Sequence, residues 1–264
     1  MISPLAHIHP DASIGKNVRI EPFAVIEKKV TLGEGTHVMS HAVIMENTII
    51  GKNCQIFPGA VLGAIPQDLK FEGEETIVII GDNTTIRECV TVNRGTKDRW
   101  KTVVGNNCLL MAYSHIAHDC HLGDFVIIAN SVQLAGHVEI GDYAIIGGMA
   151  AAIQFSRIGA HAYIAGGTEI IKDIPPFIKA GRKPLSYVGI NSVGLQRRGF
   201  TSEKINNILE IYRIIYSRGL NISQATHLIE TEIEDSDAKT EILQFIIESK
   251  RGLLKLSSHE KEEN

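Results

Sequence analysis

The sequence predicts a mainly β fold, a parallel β-helix of hexapeptide repeats followed by a small helical domain. An aliphatic residue recurs at every sixth position, first at Ile8, Ile14, Ile20, Ile26, Leu32, Val38, Ile44, Ile50, Ile56 and Leu62. The longest later run extends from Val104 to Ile170. The residue four positions further on is nearly always small, and Gly often follows the aliphatic residue directly, as at Gly15, Gly33, Gly51, Gly105, Gly123 and Gly141. Because two positions of the pattern recur with the same six-residue period, the pattern excludes amphipathic helices. It is typical of a prism built from repeats.

Each hexad supplies a short strand and a tight turn. Three hexads close one triangular coil, and stacked coils hydrogen-bond at a strand spacing of about 4.8 Å. Other hexapeptide prisms are left-handed, and we take the handedness from that resemblance, because the period does not fix it. The period is interrupted where Asp68, Glu74 and Asp98 occupy aliphatic positions. We therefore expect projecting loops at residues 64–76 and 96–102, and loops on a rigid scaffold often carry binding groups.

The repeat ends after Pro175 and Pro176, and from Ser202 the apolar spacing becomes helical. The spacing predicts one helix from Ser202 with Gly219 as its C-cap, a second from Ser223 to Glu232 and a third from Asp237 to Lys250, ended by Gly252. We predict a prism over residues 1–190 and a helical domain over residues 191–264, with a frayed polar tail after Leu256.

The composition narrows the function classes. The chain has 264 residues, is 44% hydrophobic and has a net charge of −4, which gives no signature of nucleic-acid binding. No stretch approaches a membrane span, and the repeat begins at Ile8, which leaves no room for a signal peptide. We therefore expect a cytoplasmic protein. Three of the four cysteines, Cys54, Cys108 and Cys120, occupy the small inward position of the repeat, so packing explains them.

Stacking of the coils predicts a cluster of polar groups at one corner of the prism. The first and fifth residues of each hexad point inward, so histidines at other positions should lie outside the core. Residues one coil apart stack vertically. One column then contains His118, Gly136 and Gln154, and the neighbouring column contains Asp119, His137 and Phe155. The loop at residues 96–102 should project beside them.

Such a cluster is suited to proton abstraction. Histidine titrates near neutral pH and acts as a general base, while a neighbouring carboxylate fixes its tautomer. The N–H of Gly136 could stabilise a developing oxyanion. Because no serine or cysteine is placed as a nucleophile, direct acyl transfer to a bound hydroxyl is favoured over a covalent intermediate.

A metal site is the main alternative for these histidines. The gamma-class carbonic anhydrases bind zinc on the outer faces of similar prisms, but no two histidines here have their His-x4-His spacing. A sugar nucleotidyltransferase would need a nucleotide-binding domain before the prism. A non-enzymatic scaffold is the alternative from a different class. We predict no metal and no cofactor.

Longer motifs are more specific than the hexads. They are Gln67-Asp68-Leu69-Lys70-Phe71, Ile86-Arg87-Glu88, Asn93-Arg94-Gly95-Thr96, His115-Ile116-Ala117-His118-Asp119-Cys120, Leu134-Ala135-Gly136-His137-Val138 and Gly194-Leu195-Gln196-Arg197-Arg198-Gly199-Phe200. Over almost its whole length the chain resembles the UDP-N-acetylglucosamine O-acyltransferases that begin lipid A synthesis. Its opening residues, Met1-Ile2-Ser3-Pro4-Leu5-Ala6, look like versions from the Bacteroidetes group.

This resemblance implies transfer of an (R)-3-hydroxyacyl group from acyl carrier protein to the 3-hydroxyl of UDP-N-acetylglucosamine, by a homotrimer with active sites between subunits. Matched motif by motif, His118 would be the general base, Asp119 its orienting partner and Gly136 the oxyanion donor. Gly166 would set the acyl chain length. Substrate contacts would come from Gln67, Asp68, Lys70, His115, His137, Gln154, Asn191, Arg197 and Arg198.

Two positions depart from the family pattern. Ile153 stands where the family commonly has a histidine, and Val193 stands where it has an acidic residue. A 3-amino analogue of the sugar is therefore an alternative acceptor. The sister N-acyltransferase of the same pathway is a further alternative, although it carries an extra domain before the repeat.

Overall fold

The computed structural model describes residues 1–256, so the predicted frayed tail after Leu256 lies outside the described residues. Strands up to Ile190 form a prism of three sheets, which we call faces 1, 2 and 3 in the order in which the chain meets them. Face 1 contains β1 His7–Ile8, β4 Val25–Ile26, β7 Val43–Ile44, β10 Val61–Ala64, β13 Thr91–Asn93, β16 His115–Ile116, β19 Gln133–Leu134, β22 Ala151–Ala152 and β25 Glu169–Ile170. Face 2 contains β2 Ser13–Ile14, β5 Thr31–Leu32, β8 Thr48–Ile50, β11 Ile77–Ile80, β14 Lys101–Val104, β17 His121–Leu122, β20 Glu139–Ile140 and β23 Arg157–Ile158. Face 3 contains β3 Arg19–Ile20, β6 His37–Val38, β9 Gln55–Ile56, β12 Thr85–Ile86, β15 Leu109–Leu110, β18 Ile127–Ile128, β21 Ile145–Ile146, β24 Tyr163–Ile164, β26 Ile178–Gly181 and β27 Ser186–Ile190.

The strands pair in parallel along each face. Equivalent residues of successive coils are 18 apart where no loop is inserted, as in the pairing of Ile116 with Leu134 and of Leu134 with Ala152. The exception is β27, which pairs antiparallel with β26 at the end of face 3. The predicted prism of three hexads per coil is confirmed. We call the turns between faces 1 and 2 corner 1, those between faces 2 and 3 corner 2, and those between faces 3 and 1 corner 3.

The interior of the prism is a column of aliphatic side chains. Ile116, Leu134 and Val138 are completely buried, and so are most of their equivalents in the other coils. Cys54, Cys108 and Cys120 lie in this core, as predicted. Burial raises the pKa of the Cys108 thiol to about 11 and that of Cys120 to about 12, so neither is a nucleophile at neutral pH.

The turns at the corners place the fourth residue of most hexads in the left-handed region of φ. Asn107 tolerates its φ of 55° well, but bulky residues also occupy this position at corner 2, including Phe125 at 57° and Tyr143 at 60°. Their rings stack from coil to coil, with centroids 4.6 Å apart for Phe125 and Tyr143 and 4.9 Å apart for Tyr143 and His161. This ring contact helps to offset the backbone strain.

His161 should make the protein sensitive to acid. Burial and the neighbouring Arg198 lower the pKa of His161 from 6.5 to about 4. The unfolded chain therefore takes up a proton at a higher pH than the folded protein. The contribution of His161 to the free energy of unfolding is fully present above pH 6.5 and is lost as the pH falls towards 4. We expect a loss of about 2 kcal/mol over this window, less than the full shift allows because the ring keeps some contact with water. His161→Phe retains the stacking and should lose less stability between pH 6.5 and pH 4. Urea unfolding at fixed protein concentration measures the free energy of unfolding of both proteins at each pH. An equal pH dependence in both proteins would contradict this.

Both predicted loops leave the prism at corner 1. The first occupies residues 65–76, between β10 and β11, and the second occupies residues 94–100, between β13 and β14. The second loop begins and ends two residues earlier than expected, because Lys101 and Thr102 join β14, where they pair with Ile77 and Val78. Face 2 therefore continues without a change of register.

Within residues 1–256, four helices follow the prism: α1 Ser192–Arg197, α2 Ser202–Ser217, α3 Ile222–Glu232 and α4 Asp237–Glu248. The last three correspond to the predicted helices, but the C-cap of α2 is Arg218, and the predicted cap Gly219 is the next residue, with a φ of 66°. Helix α4 ends two residues before Lys250, because Ser249 turns into an extended conformation and its hydroxyl donates to Asp173 on the prism (2.7 Å). The short helix α1 was not predicted; its N-cap is Asn191, whose side chain accepts from the Gly194 N–H. In the described part of the chain, none of the helices is both long and apolar enough to span a membrane.

Candidate active site

Corner 1 brings the predicted cluster together. His118 and Asp119 lie in the turn after β16, and Gly136 and His137 lie in the equivalent turn one coil further on. The two imidazole rings meet edge to face with centroids 5.1 Å apart. Neither histidine belongs to the prism core, yet both are buried, at 5% exposure for His118 and 8% for His137. The cause is the two projecting loops, which cover this corner.

His118 and Asp119 form a buried hydrogen-bonded pair. Nδ1 of His118 lies 2.8 Å from Oδ2 of Asp119, and Asp119 is completely buried. The carboxylate thereby selects the tautomer with the proton on Nδ1 and leaves Nε2 free to accept a proton. Within residues 1–256 Nε2 has no hydrogen-bond partner; the nearest acidic oxygen is Oδ2 of Asp68, at 4.0 Å.

The second loop holds the Asp119 carboxylate. Oδ1 accepts hydrogen bonds from the N–H groups of Thr96 (2.9 Å) and Arg99 (3.3 Å), and Oδ2 accepts one from the Thr96 hydroxyl (2.7 Å). Burial by itself raises the pKa of Asp119, but the hydrogen bonds from His118 and Thr96 outweigh it, so the pKa is lowered overall. Asp119 is therefore ionised at neutral pH.

Gly136 lies directly against the imidazole of His118. A Cβ atom at position 136 would be 2.5 Å from Cε1 and 2.6 Å from Nε2 of that ring. Only glycine fits here. The Gly136 carbonyl accepts from Phe155, whereas its N–H has no partner among the described residues, and it is therefore available to a bound ligand.

His137 stacks on the ring of Phe155 with centroids 4.4 Å apart. Its Nδ1 is 3.3 Å from the Asp98 carboxylate, at an angle that makes no hydrogen bond, and its Nε2 is 3.7 Å from Asp119. Burial is the main cause that lowers the pKa of His137. The ring is therefore neutral at physiological pH and can donate or accept one hydrogen bond to a substrate.

Ligand atoms of His118, Asp119 and His137 lie within 4.8 Å of one another, which meets the distance requirement for a metal site. The carboxylate, however, already accepts four hydrogen bonds, two on each oxygen. A carboxylate has about four lone-pair sites, so Asp119 has none left for a cation. The arrangement favours orientation of an imidazole.

Of the predicted contacts on the first loop, Asp68 reaches the cluster, while Gln67 and Lys70 are exposed at its rim. Gln154 is also exposed, one coil beyond Gly136. His115 lies on face 1 beside the corner, where its Nδ1 is 2.7 Å from the Thr91 hydroxyl. Burial and the nearby His118 lower the pKa of His115.

The remaining predicted residues lie at other corners of the same chain. Asn191 and Arg198 are at corner 2, where Asn191 donates to the carbonyl of His161 (2.9 Å) and Arg198 to that of Tyr143 (2.9 Å). Arg197 is exposed on α1. Gly166 lies at corner 3, stacked on Gly148. One chain therefore does not assemble all the predicted contacts in a single groove.

Sequence reasoning missed the roles of Thr96, Asp98 and Arg99. The guanidinium of Arg99 pairs with Glu139 (2.7 Å), which also pairs with Arg157 (3.0 Å). Arg157 in turn pairs with Glu248 of α4 (2.6 Å). The motif that ends at Thr96 was the only sequence signal for these contacts, because nothing in the repeat predicts how a loop folds back over its corner.

Comparisons with known proteins identify the family of this chain. Residues 173–254 match the family described as UDP N-acetylglucosamine O-acyltransferase, domain 2, and residues 101–136 match the bacterial transferase hexapeptide family. The acyl-(acyl-carrier-protein)–UDP-N-acetylglucosamine O-acyltransferase of Halorhodospira halophila is 48% identical over 255 residues, which are 96% of this chain and 99% of that protein. The chain belongs to this family. The O-acyltransferase of Janthinobacterium sp. is 47% identical over 260 residues, which are 97% of this chain and 99% of that one.

Solved structures of the O-acyltransferase family have the same fold. The UDP-N-acetylglucosamine acyltransferase of Bacteroides fragilis has a TM-score of 0.95 and 50% identity and covers 97% of this chain and 100% of its own. The enzyme of Francisella novicida has a TM-score of 0.96 and 40% identity over 99% of this chain and 96% of its own. The predicted family, its acyltransferase activity and the left-handed β-helix with a helical C-terminal domain are confirmed.

Proposed function

We propose that this chain transfers an (R)-3-hydroxyacyl group from acyl carrier protein to the 3-hydroxyl of UDP-N-acetylglucosamine, the first step of lipid A synthesis, with His118 as general base. The observation that carries the proposal is the buried His118–Asp119 pair, whose free Nε2 lies close to Gly136, a residue whose N–H has no partner among the described residues. A proton acceptor and an oxyanion donor side by side are what acyl transfer to a hydroxyl needs.

The reaction proceeds by direct attack. Nε2 of His118 takes the proton of the sugar 3-hydroxyl while its oxygen bonds to the thioester carbonyl carbon. The negative charge on the carbonyl oxygen is stabilised by the N–H of Gly136, and Asp119 stabilises the imidazolium. The C–S bond then breaks, and the thiolate of the carrier takes the proton from His118. No covalent enzyme intermediate is needed, since the nearest thiol, Cys120, points into the core.

The separate corners support a homotrimer with active sites between subunits. The base is at corner 1, Asn191 and Arg198 are at corner 2, and Gly166 is at corner 3. A second copy could bring its corner 2 or 3 to the corner 1 of the first. Gln67, Asp68, Lys70, His115, His137, Gln154 and Arg197 would provide further substrate contacts. We expect the trimer to act in the cytoplasm, where its two substrates would meet.

The decisive experiment is an assay of purified protein with 3-hydroxyacyl carrier protein and UDP-N-acetylglucosamine, followed by mass spectrometry of the nucleotide product. An O-acylated sugar nucleotide supports the proposal. Product formed only with the 3-amino sugar nucleotide would identify that analogue as the acceptor, and no product with either acceptor would overturn the proposed function.

Ile153→His should increase kcat/KM for UDP-N-acetylglucosamine several-fold. Ile153 is 39% exposed and precedes Gln154, which lies in the same column as His118 and Gly136. Its side chain cannot form a hydrogen bond. Gaining one hydrogen bond to the substrate is worth about 0.5–1.5 kcal/mol, up to roughly tenfold. Ile153→Leu is the matched control and should leave kcat/KM unchanged. A loss of activity in Ile153→His would indicate a pocket shaped around isoleucine and a preference for the 3-amino sugar.

Donor chains should be long. In the family a glycine near the end of the acyl groove admits long chains, and Gly166 matches that position. Each buried methylene adds about 0.8 kcal/mol to binding, so we expect a preference for chains of about fourteen carbons or more. A donor series of different lengths, compared by kcat/KM, measures this. A strong preference for the ten-carbon donor would contradict the role of Gly166.

A further inference from the structure

We propose that Thr96 is a positioning residue for the general base, because its hydroxyl and its backbone N–H hold the Asp119 carboxylate in the orientation that receives the Nδ1 proton of His118. The inference rests on the proposed function, which makes His118 the base. It does not give Thr96 any contact with substrate.

Thr96 bridges both oxygens of the carboxylate. Its hydroxyl lies 2.7 Å from Oδ2 and its N–H nitrogen 2.9 Å from Oδ1 of Asp119. All three groups involved, Thr96, Asp119 and His118, are at least nine-tenths buried, so water does not compete for these bonds. Two donors from one residue to two oxygens fix the plane of the carboxylate as well as its place.

The direction of the hydroxyl proton is also determined. Oγ1 of Thr96 accepts a hydrogen bond from the Asp98 N–H (3.3 Å), which occupies its acceptor side. The single hydroxyl proton is therefore directed to Asp119. The turn is closed by a hydrogen bond from the Trp100 N–H to the Thr96 carbonyl (2.8 Å). A threonine or serine is required for this geometry, since valine has the shape without the donor.

The consequence for the base concerns its tautomer. With the carboxylate held, Oδ2 receives the Nδ1 proton and Nε2 keeps its lone pair. Without the hydroxyl the carboxylate can rotate away, and the tautomer with its proton on Nε2 becomes populated. That tautomer cannot accept the proton of the sugar hydroxyl.

A double-mutant cycle separates positioning from a structural role. We expect Thr96→Val to lower kcat about tenfold with little change in KM, and Thr96→Ser to remain within about twofold of wild type. Asp119→Asn should remove the group through which Thr96 acts, so adding Thr96→Val to it should cost almost nothing more. Multiplied effects in the double variant, or equal losses in Thr96→Ser and Thr96→Val, would overturn the proposal.

A readout without substrate completes the test. In ¹⁵N-histidine-labelled trimer, the signal assigned to His118 by its loss in His118→Gln should report the Nδ1–H tautomer in wild type and in Thr96→Ser, and a mixture in Thr96→Val. If Thr96→Val does not fold, Thr96→Ala is measured instead, because it removes the hydroxyl without adding apolar bulk. An unchanged tautomer would overturn the proposal, whereas a wild type that transfers no acyl group would overturn only the proposed function.

Discussion

His118→Ala should reduce kcat for acyl transfer by about 10²- to 10⁴-fold, the range typical for loss of a general base. Among the imidazoles on corner 1 in residues 1–256, only that of His118 has a carboxylate hydrogen-bonded to one ring nitrogen and no partner on the other. The measurement is steady-state transfer with saturating donor and acceptor. KM for the sugar nucleotide should change little, because Nε2 acts on the reacting proton.

The variant should also lose some stability, since His118 is buried and donates to Asp119. Removing one hydrogen bond to a charged group costs about 1.5–3 kcal/mol. His118→Gln separates the two effects, because an amide can still donate to Asp119 but cannot take up a proton. The matched control is His121→Ala, an exposed histidine on the adjacent strand, which should retain activity. Near-normal kcat in His118→Gln would exclude His118 as the base.

Gly136→Ala should reduce kcat by about 10²-fold although it adds only one methyl group. That methyl would lie 2.5 Å from Cε1 of His118, far inside van der Waals contact. The ring cannot turn aside without breaking its bond to Asp119, so it must shift, and a shift of about 1 Å at a reacting group costs about 10²-fold. Single-turnover measurement of the transfer step tests this without interference from product release.

A matched control exists one coil further along the same column, where Gln154 already carries a side chain. Gln154→Ala should lose far less than Gly136→Ala, since it removes only one exposed contact. If Gly136→Ala retained more than a third of the wild-type kcat, the ring would have space that the structure does not provide, and the close approach of Gly136 to the base would have no catalytic role.

The hexad pattern predicted much of this architecture because each position of the repeat determines whether its side chain points into the core and on which face or corner it lies. It placed His118 over Gly136 and His137 beside Phe155 from spacing alone, and the backbone bond from His137 N–H to the His118 carbonyl agrees. It did not predict that these groups would be buried. Their burial depends on how residues 65–76 and 94–100 fold back over corner 1, and loop conformation is not encoded by a period.

The same difference between the periodic prism and its loops explains why the contacts of Thr96 and Asp98 were not predicted. Their motif was visible in the sequence, but their partners Asp119 and His137 are more than twenty residues away and are reached only through the loop. The repeat also does not predict that aromatic residues adopt the left-handed turns at corner 2. Asparagine is the expected residue at such a φ, whereas Tyr143 adopts it because its ring stacks on neighbours that the sequence places 18 residues away.

The way the loops leave the prism limits how such a chain can gain or lose sequence. Both loops depart from and return to corner 1, and the ladder continues through Ile80, Val104 and Leu122 as if nothing had been inserted. An insertion confined to a corner therefore leaves the strand register of every later coil unchanged. A deletion of one hexad between His118 and His137 would instead turn the later coils by a third of a revolution and carry His137 to a different corner. Evolution of this active site can lengthen its loops freely, but it can change the prism itself only by whole coils.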